Sequence, residues 1–138
     1  MAECKIAQVQ HVQILKELYS KCFCASPLMT DLFFSNKFCL ENCIICTENS
    51  NVVSALHMFD AFIFKNSIKY PVSYIYAAAT FPEHRGHGYM KNLLEFANRV
   101  AGERGSLYSF LLPADKNLYN FYANLGYKTF FKRKIVSR

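Results

Sequence analysis

An α/β (α+β) fold, with a mixed and mostly antiparallel central sheet of six to seven strands flanked by about four helices, is the class this sequence predicts. Three observations carry it. Apolar residues recur at helical spacing in four stretches, and period-two or continuous apolar runs fill the stretches between them. The length, 138 residues, suits one core and is too short for two of comparable size, so we expect one domain over residues 1–138.

The elements follow in order. A short KIAQV strand is expected first, then a helix over about 9–24, where Val9, Val12, Ile14, Leu15, Leu18, Tyr19 and Phe23 fall mostly three and four apart. Ser26-Pro27 is a helix-start signal, and Leu28, Met29, Leu32 and Phe33 give the short helix behind it one apolar face. The period then changes to that of strands. NCIICTENSNVVSALHMFDAFIF predicts a hairpin turning at Glu48-Asn49-Ser50-Asn51, and a second turn at 65–67 leads into a run, Val72 to Phe81, without any charge. A strand apolar on both faces belongs in the middle of a covered sheet.

Met90, Leu93, Leu94, Ala97, Val100 and Ala101 then mark the most regular helix of the chain, stopped between Gly102 and Gly105. SLYSFLLP reads as a short strand. Asp115 can cap a last helix that Gly126 ends, and YKTFFKRKIV predicts a final strand or hairpin arm.

Composition excludes whole classes of function. With 52% hydrophobic and 16% aromatic residues, disorder is excluded. No apolar run is long enough to cross a membrane and the first residues lack a secretory pattern, so a cytoplasmic protein without membrane partner is expected. Six cysteines in apolar surroundings fit a reducing compartment as small core residues. Cys39, Cys43 and Cys46 with His57 invite a zinc reading, but Cys43 and Cys46, three apart on a strand, face opposite sides and no second C-x-x-C pair exists, so no metal is expected. The net charge of +6 is concentrated in the tail, and without a recognised module of interleaved aromatics no nucleic-acid partner is expected.

The chemistry lies in PEHRGHGYMK, residues 82–91. A strand, a turn with Gly86 and Gly88, and a helix start place unpaired backbone N–H groups and the positive end of a helix dipole together, which suits a phosphate. Arg85 can fork onto its oxygens. Neither a Walker A loop nor a dinucleotide fingerprint is present. A turn whose glycines only satisfy backbone geometry would read the same way. Downstream, Leu118, Phe121, Tyr122 and Leu125 read as the buried face of a helix as readily as a functional one.

Taken together, Pro82, Arg85 and Gly88, the helix over 88–104, the strand at 106–112, and Tyr122 followed by Gly126-Tyr127 resemble the GNAT superfamily of N-acetyltransferases. Met90 stands where that pattern has a last glycine or alanine, and Arg-Gly-x-Gly-Tyr-Met resembles the enhanced-intracellular-survival branch. The resemblance implies a three-layer fold and acetyl-coenzyme A as co-substrate. Its pyrophosphate is expected on the amides of Arg85, Gly86, His87, Gly88, Tyr89, Met90 and Lys91, its pantetheine arm beside Ala78, Ala79 and Thr80, with Asn117 completing the contacts. Small side chains at Ala77–Ala79 leave room for a thin ligand, although core packing explains them equally well.

The implied reaction is direct attack of a primary amine, on a small molecule or peptide, upon the thioester. Tyr122 matches the family's general acid. The central run lacks a carboxylate, which leaves Asp60 on the preceding strand as the candidate base. A catalytically silent coenzyme A-binding or regulatory module is the alternative. Oligomeric state stays open, with a homodimer compatible. In the branch named above the enzyme carries further domains and uses its chain terminus, so this chain is expected to be either a trimmed relative or one whose acceptor site is closed by something else.

Overall fold

The computed structural model describes residues 2–113 and 117–128. Strand β1 (Ala2–Ile6) is followed by a single 3-10 turn at Val9–His11 and helices α1 (Val12–Phe23) and α2 (Pro27–Asn36). Strands β2 (Cys43–Glu48), β3 (Asn51–Lys65) and β4 (Ile68–Thr80) come next, then α3 (Tyr89–Glu103), β5 (Tyr108–Leu111) and α4 (Asn117–Asn124). The strands lie in the order β1-β2-β3-β4-β5, all antiparallel except the β4–β5 pair. That pair is parallel because α3 carries the chain back across the sheet between them.

Local chemistry explains the boundaries. The Ser26 hydroxyl accepts the Met29 N–H at 3.2 Å and Pro27 occupies the first turn, so α2 starts where the sequence signal placed it. The β2–β3 and β3–β4 turns are Asn49-Ser50 and Asn66-Ser67, all four with positive φ. Two consecutive left-handed residues match the right-handed twist of a hairpin, and Asn tolerates that region better than most side chains. Helix α1 begins three residues later than its apolar pattern. The Gln8 N–H donates to His11 Nδ1 at 2.9 Å, closing a separate turn there.

Layers of side chains cover both faces of the sheet. Leu93, Leu94, Ala97, Val100 and Ala101 of α3 pack, together with Tyr122 of α4, on Ile44, Cys46, Val53, Leu56, Met58 and Ile75. On the other face Leu15 and Leu18 of α1 meet Cys43, Ile45, Val52, Ala55, Ala79 and Phe81. Cys43 and Cys46 therefore sit in different cores, as strand alternation requires. No group of three potential metal-binding side chains occurs among the described residues.

The three-layer α+β expectation holds. The described sheet has five strands against the six to seven expected. The expected final strand from residue 129 onward and the Asp115 cap fall outside the described residues.

Candidate active site

Two irregularities of the sheet mark the candidate site. First, β5 pairs only with Val72–Ile75 of β4, so beyond Ile75 the two parallel strands part. From Tyr76 to Thr80 the edge of β4 facing away from β3 has no strand partner among the described residues. Backbone groups in the middle of a sheet that lack a ladder need another partner, which an extended ligand can supply. Second, the β3–β4 register shifts there: Ala55 lies opposite Ala79 but His57 opposite Tyr76, so Leu56 faces both Ala77 and Ala78. This is a β-bulge, and Ala77 holds it with φ at 54°. A left-handed alanine costs roughly 1–2 kcal/mol, and such strain clusters at functional sites.

The Arg85–Gly88 turn closes one end of the parted edge. Gly86 and Gly88 have φ of 86° and 78°, and a Cβ on either would meet nothing within 4 Å, so the demand for glycine is conformational and the space over the turn is open. Gly88 caps α3 without a side-chain hydrogen bond, and the first turn of α3 carries no acid. The leading N–H groups of a 15-residue helix, at Tyr89, Met90 and Lys91, are thus available to an anion.

The side chains around the turn are tied to the protein more than the sequence suggests. Arg85 turns inward: its Nε donates to the Thr80 carbonyl at 3.1 Å, and a terminal nitrogen lies 3.7 Å from Cys22 Sγ. His87 Nδ1 is 3.1 Å from the His84 carbonyl and its ring stacks on Tyr89 with centroids 5.6 Å apart. The Tyr89 hydroxyl donates to Glu48 Oε2 at 3.2 Å, fastening α3 to the end of β2. Met90 packs against the core beneath α3, and Lys91 is exposed.

Tyr122 is 9% exposed, in the same cluster as Ile75, Ala78 and Leu111 from the two parting strands. Burial, and then the neighbouring Tyr127, push its phenol above the ordinary range, so it keeps its proton at neutral pH. Tyr127 in turn shares a 3.0 Å hydrogen bond with Ser109 of β5. Asn117 is the first residue of α4.

Asp60 is placed elsewhere. It lies opposite Ser73, exposed, three residues beyond His57 and so about 10 Å along the strand from the bulge. Alternation puts it on the face of Met58, opposite to that of His57 and Phe59.

An aromatic wall on that latter face has no counterpart among the sequence motifs. Tyr19 stacks on Phe33 at 4.7 Å, and the hydroxyls of Tyr19 and Tyr76 are 3.0 Å apart. Burial and then this hydrogen bond push Tyr19 up to about 12. Phe33 meets the His57 ring edge-on at 5.0 Å, and Tyr74 stacks on Phe110 of β5 at 4.9 Å. The alternations His57-Met58-Phe59 and Tyr74-Ile75-Tyr76 are the signal that could have found it, since each sends its aromatic members to one face.

Buried among these rings, His57 is pushed down to about 4. Its folded value lies below its unfolded value near 6.5, so the stability it contributes is complete above pH 6.5 and is lost as pH falls toward 4. Urea unfolding between pH 7 and pH 4 is expected to show a loss approaching about 3 kcal/mol from this group, and His57→Phe to remove that part of the slope. An unchanged slope in the variant would assign the acid sensitivity to other groups.

Comparison with known proteins bears on the family and the fold. A family model described as an acetyltransferase (GNAT) domain matches residues 3–130. A GCN5-related N-acetyltransferase from Anabaena variabilis superposes with a TM-score of 0.79 at 22% identity, over 88% of this chain and 31% of that one. The present chain thus spans about a third of the length of that protein. A Trypanosoma brucei acetyltransferase superposes with a TM-score of 0.74 at 15% identity, over 100% of both chains. Glucosamine-6-phosphate N-acetyltransferase from Arabidopsis thaliana gives 0.76 at 13% identity, over 100% of this chain and 97% of that one. At such identities these likenesses concern the fold. No curated protein matches the sequence.

Proposed function

The chain belongs to the acetyltransferase (GNAT) domain family, and from that premise we propose that it transfers the acetyl group of acetyl-coenzyme A to a primary amine. One observation supports this above the others: the edge of β4 that parts from β5 runs directly into a glycine turn and an uncapped helix start. An extended arm ending in a pyrophosphate needs that sequence of features, with backbone groups for the arm and helix amides for the anion. The residues fit this group, since Gly86 and Gly88 leave open space and α3 offers no acid in its first turn.

In the reaction the amine nitrogen attacks the thioester carbonyl carbon, and the C–N bond forms as the carbonyl oxygen takes up negative charge. Backbone N–H groups at Ala78–Thr80 are the proposed donors to that oxygen. The C–S bond then breaks, leaving a thiolate. Tyr122, proton in place, is proposed to donate to it; with a pKa above that of a thiol, it begins as a hydrogen-bond donor and completes the transfer late.

The amine must lose its proton before attack. An amine held at the aromatic wall lies across the sheet from Asp60, so Asp60 can serve as base only through a chain of waters. Asp60→Asn with an unchanged rate across pH 6–9 would remove it from the mechanism. The R-G-x-G-Y-M turn supports a place near the enhanced-intracellular-survival branch, and the six free thiols fit a reducing, cytoplasmic setting.

The experiment that tests the function is a thiol-release screen with acetyl-coenzyme A against amino acids, polyamines, aminoglycosides and peptides. Turnover with at least one amine, absent with its N-acetylated form, is expected. Release at the no-amine background throughout, with coenzyme A still bound, would mark a silent binding module instead.

A further inference from the structure

Cys4 of β1 and Cys46 of β2 are directly opposite one another in the antiparallel ladder. Opposed residues in such a ladder have Cα atoms about 4.5 or 5.5 Å apart, and a disulfide spans Cα separations of about 4.4–6.8 Å. Opposed side chains also leave the sheet on the same face, and here both sulfurs pack in the core beneath α3. The two thiols are close enough for each to shift the titration of the other. They are free thiols poised for a bond.

Their surroundings differ in a way that divides the labour. Cys46 is fully buried, whereas Cys4 is half-buried and lines an open groove of about 340 Å³ walled by Asn92, Glu95, Phe96 and Arg99 of α3. The neighbouring Cys46 thiol pulls the Cys4 thiol below its ordinary range, with help from the Arg99 charge and against burial; the Cys4 thiol and burial push Cys46 up. A reagent can therefore reach Cys4, and Cys46 stands behind it as a resolving thiol. The groove runs along α3 from Asn92, four residues or about 6 Å of helix beyond Gly88, to Arg99, eleven residues beyond it.

We propose that Cys4 and Cys46 form a peroxide-reactive dithiol that closes a reversible cross-strand disulfide between β1 and β2. The Cys4 thiolate attacks one oxygen of a hydroperoxide; the O–O bond breaks and hydroxide, or alkoxide, leaves and takes up a proton, so Cys4 becomes a sulfenic acid. Cys46 then loses its proton and attacks the Cys4 sulfur, the S–S bond forms, and the sulfenic oxygen departs as water. Two thiols lose two electrons and the peroxide gains them. Because β1 is an edge strand among the described residues, the small shift that turns the sulfurs together falls on a strand paired there on one side only. The closed loop contains α1 and α2, so oxidation ties the aromatic wall's helices to the sheet.

The test is peptide mapping of the intact wild-type chain after a stoichiometric pulse of hydrogen peroxide and alkylation. A Cys4–Cys46 linked peptide, lighter by two hydrogens and released by dithiothreitol, is expected as the main product, with Tm raised by about 5 °C. Cys46→Ala is expected to leave Cys4 as a sulfenic acid that dimedone labels. The proposal is overturned if both residues stay alkylatable while the exposed Cys24 oxidises, or if Cys4 links to a different cysteine. The linked peptide is read on the wild-type chain, so the outcome does not depend on how the variant folds.

Discussion

Arg85→Ala combined with Gly88→Val is expected to weaken coenzyme A binding at least 100-fold. Gly88 has φ at 78°, and a β-branched residue forced into that region costs roughly 1–2 kcal/mol or moves the start of α3. The amides that would hold the pyrophosphate move with it. Arg85 contributes in two ways, as a positive charge beside the turn and through the 3.1 Å bond from its Nε to the Thr80 carbonyl. A charge-assisted hydrogen bond is worth about 1.5–3 kcal/mol. Together the losses come to about 2.5–5 kcal/mol, a factor of roughly 10²–10⁴ in affinity. Equilibrium dialysis with coenzyme A measures it, and circular dichroism of the variant separates loss of the site from loss of the fold. Affinity within threefold of wild type would mean that the turn is not the anion seat.

Tyr122→Phe is expected to lower the rate of acetyl transfer by about 100-fold and leave coenzyme A affinity unchanged, which is the lower part of the range for loss of a general acid. The substitution removes one oxygen from a ring that is 9% exposed and packed against Ile75 and Leu94 in the α3-side core. Phenylalanine keeps that packing, so a lowered rate reports on the hydroxyl. Single-turnover measurements with the best amine of the screen separate chemistry from product release. Equal rates in the two proteins would leave Tyr122 as a packing residue only.

Why some of this is legible in the sequence and some is not follows from where each property resides. The α3 face of Met90, Leu93, Leu94, Ala97, Val100 and Ala101 is a local pattern; the last five are the buried residues of the helix, and Met90, at its first turn, is half-buried against the same core. Ser26-Pro27 and the Asn-Ser turns are likewise local chemistry with one good solution each. The bulge at Ala77 is different, because a register shift belongs to two strands at once and an alanine there gives no signal of the kind a glycine would. The shift beside Cys46 and Thr47 also resets the parity of β3, so the face taken by Asp60 cannot be counted from the start of the strand.

Long-range partners are illegible for the same reason. Tyr19 fits a plain helical stripe until Tyr76, 57 residues away, places its hydroxyl 3.0 Å from it. From the sequence Arg85 reaches outward to an anion, and its inward bonds to Thr80 and the Cys22 side need the end of β4 and α1 brought together. Cys4 and Cys46 are separate small core residues in the sequence; only the β1–β2 register makes them neighbours.

The parted β4 edge and the turn behind it, taken as a donor site, are what the whole functional assignment stands on. Isothermal titration of the intact chain with coenzyme A, run at two temperatures so that an athermal binding event is not missed, tests this most directly. One molecule bound per chain with micromolar affinity, weakened by added salt as a pyrophosphate contact demands, is the expected result. No heat at either temperature at millimolar coenzyme A would contradict it.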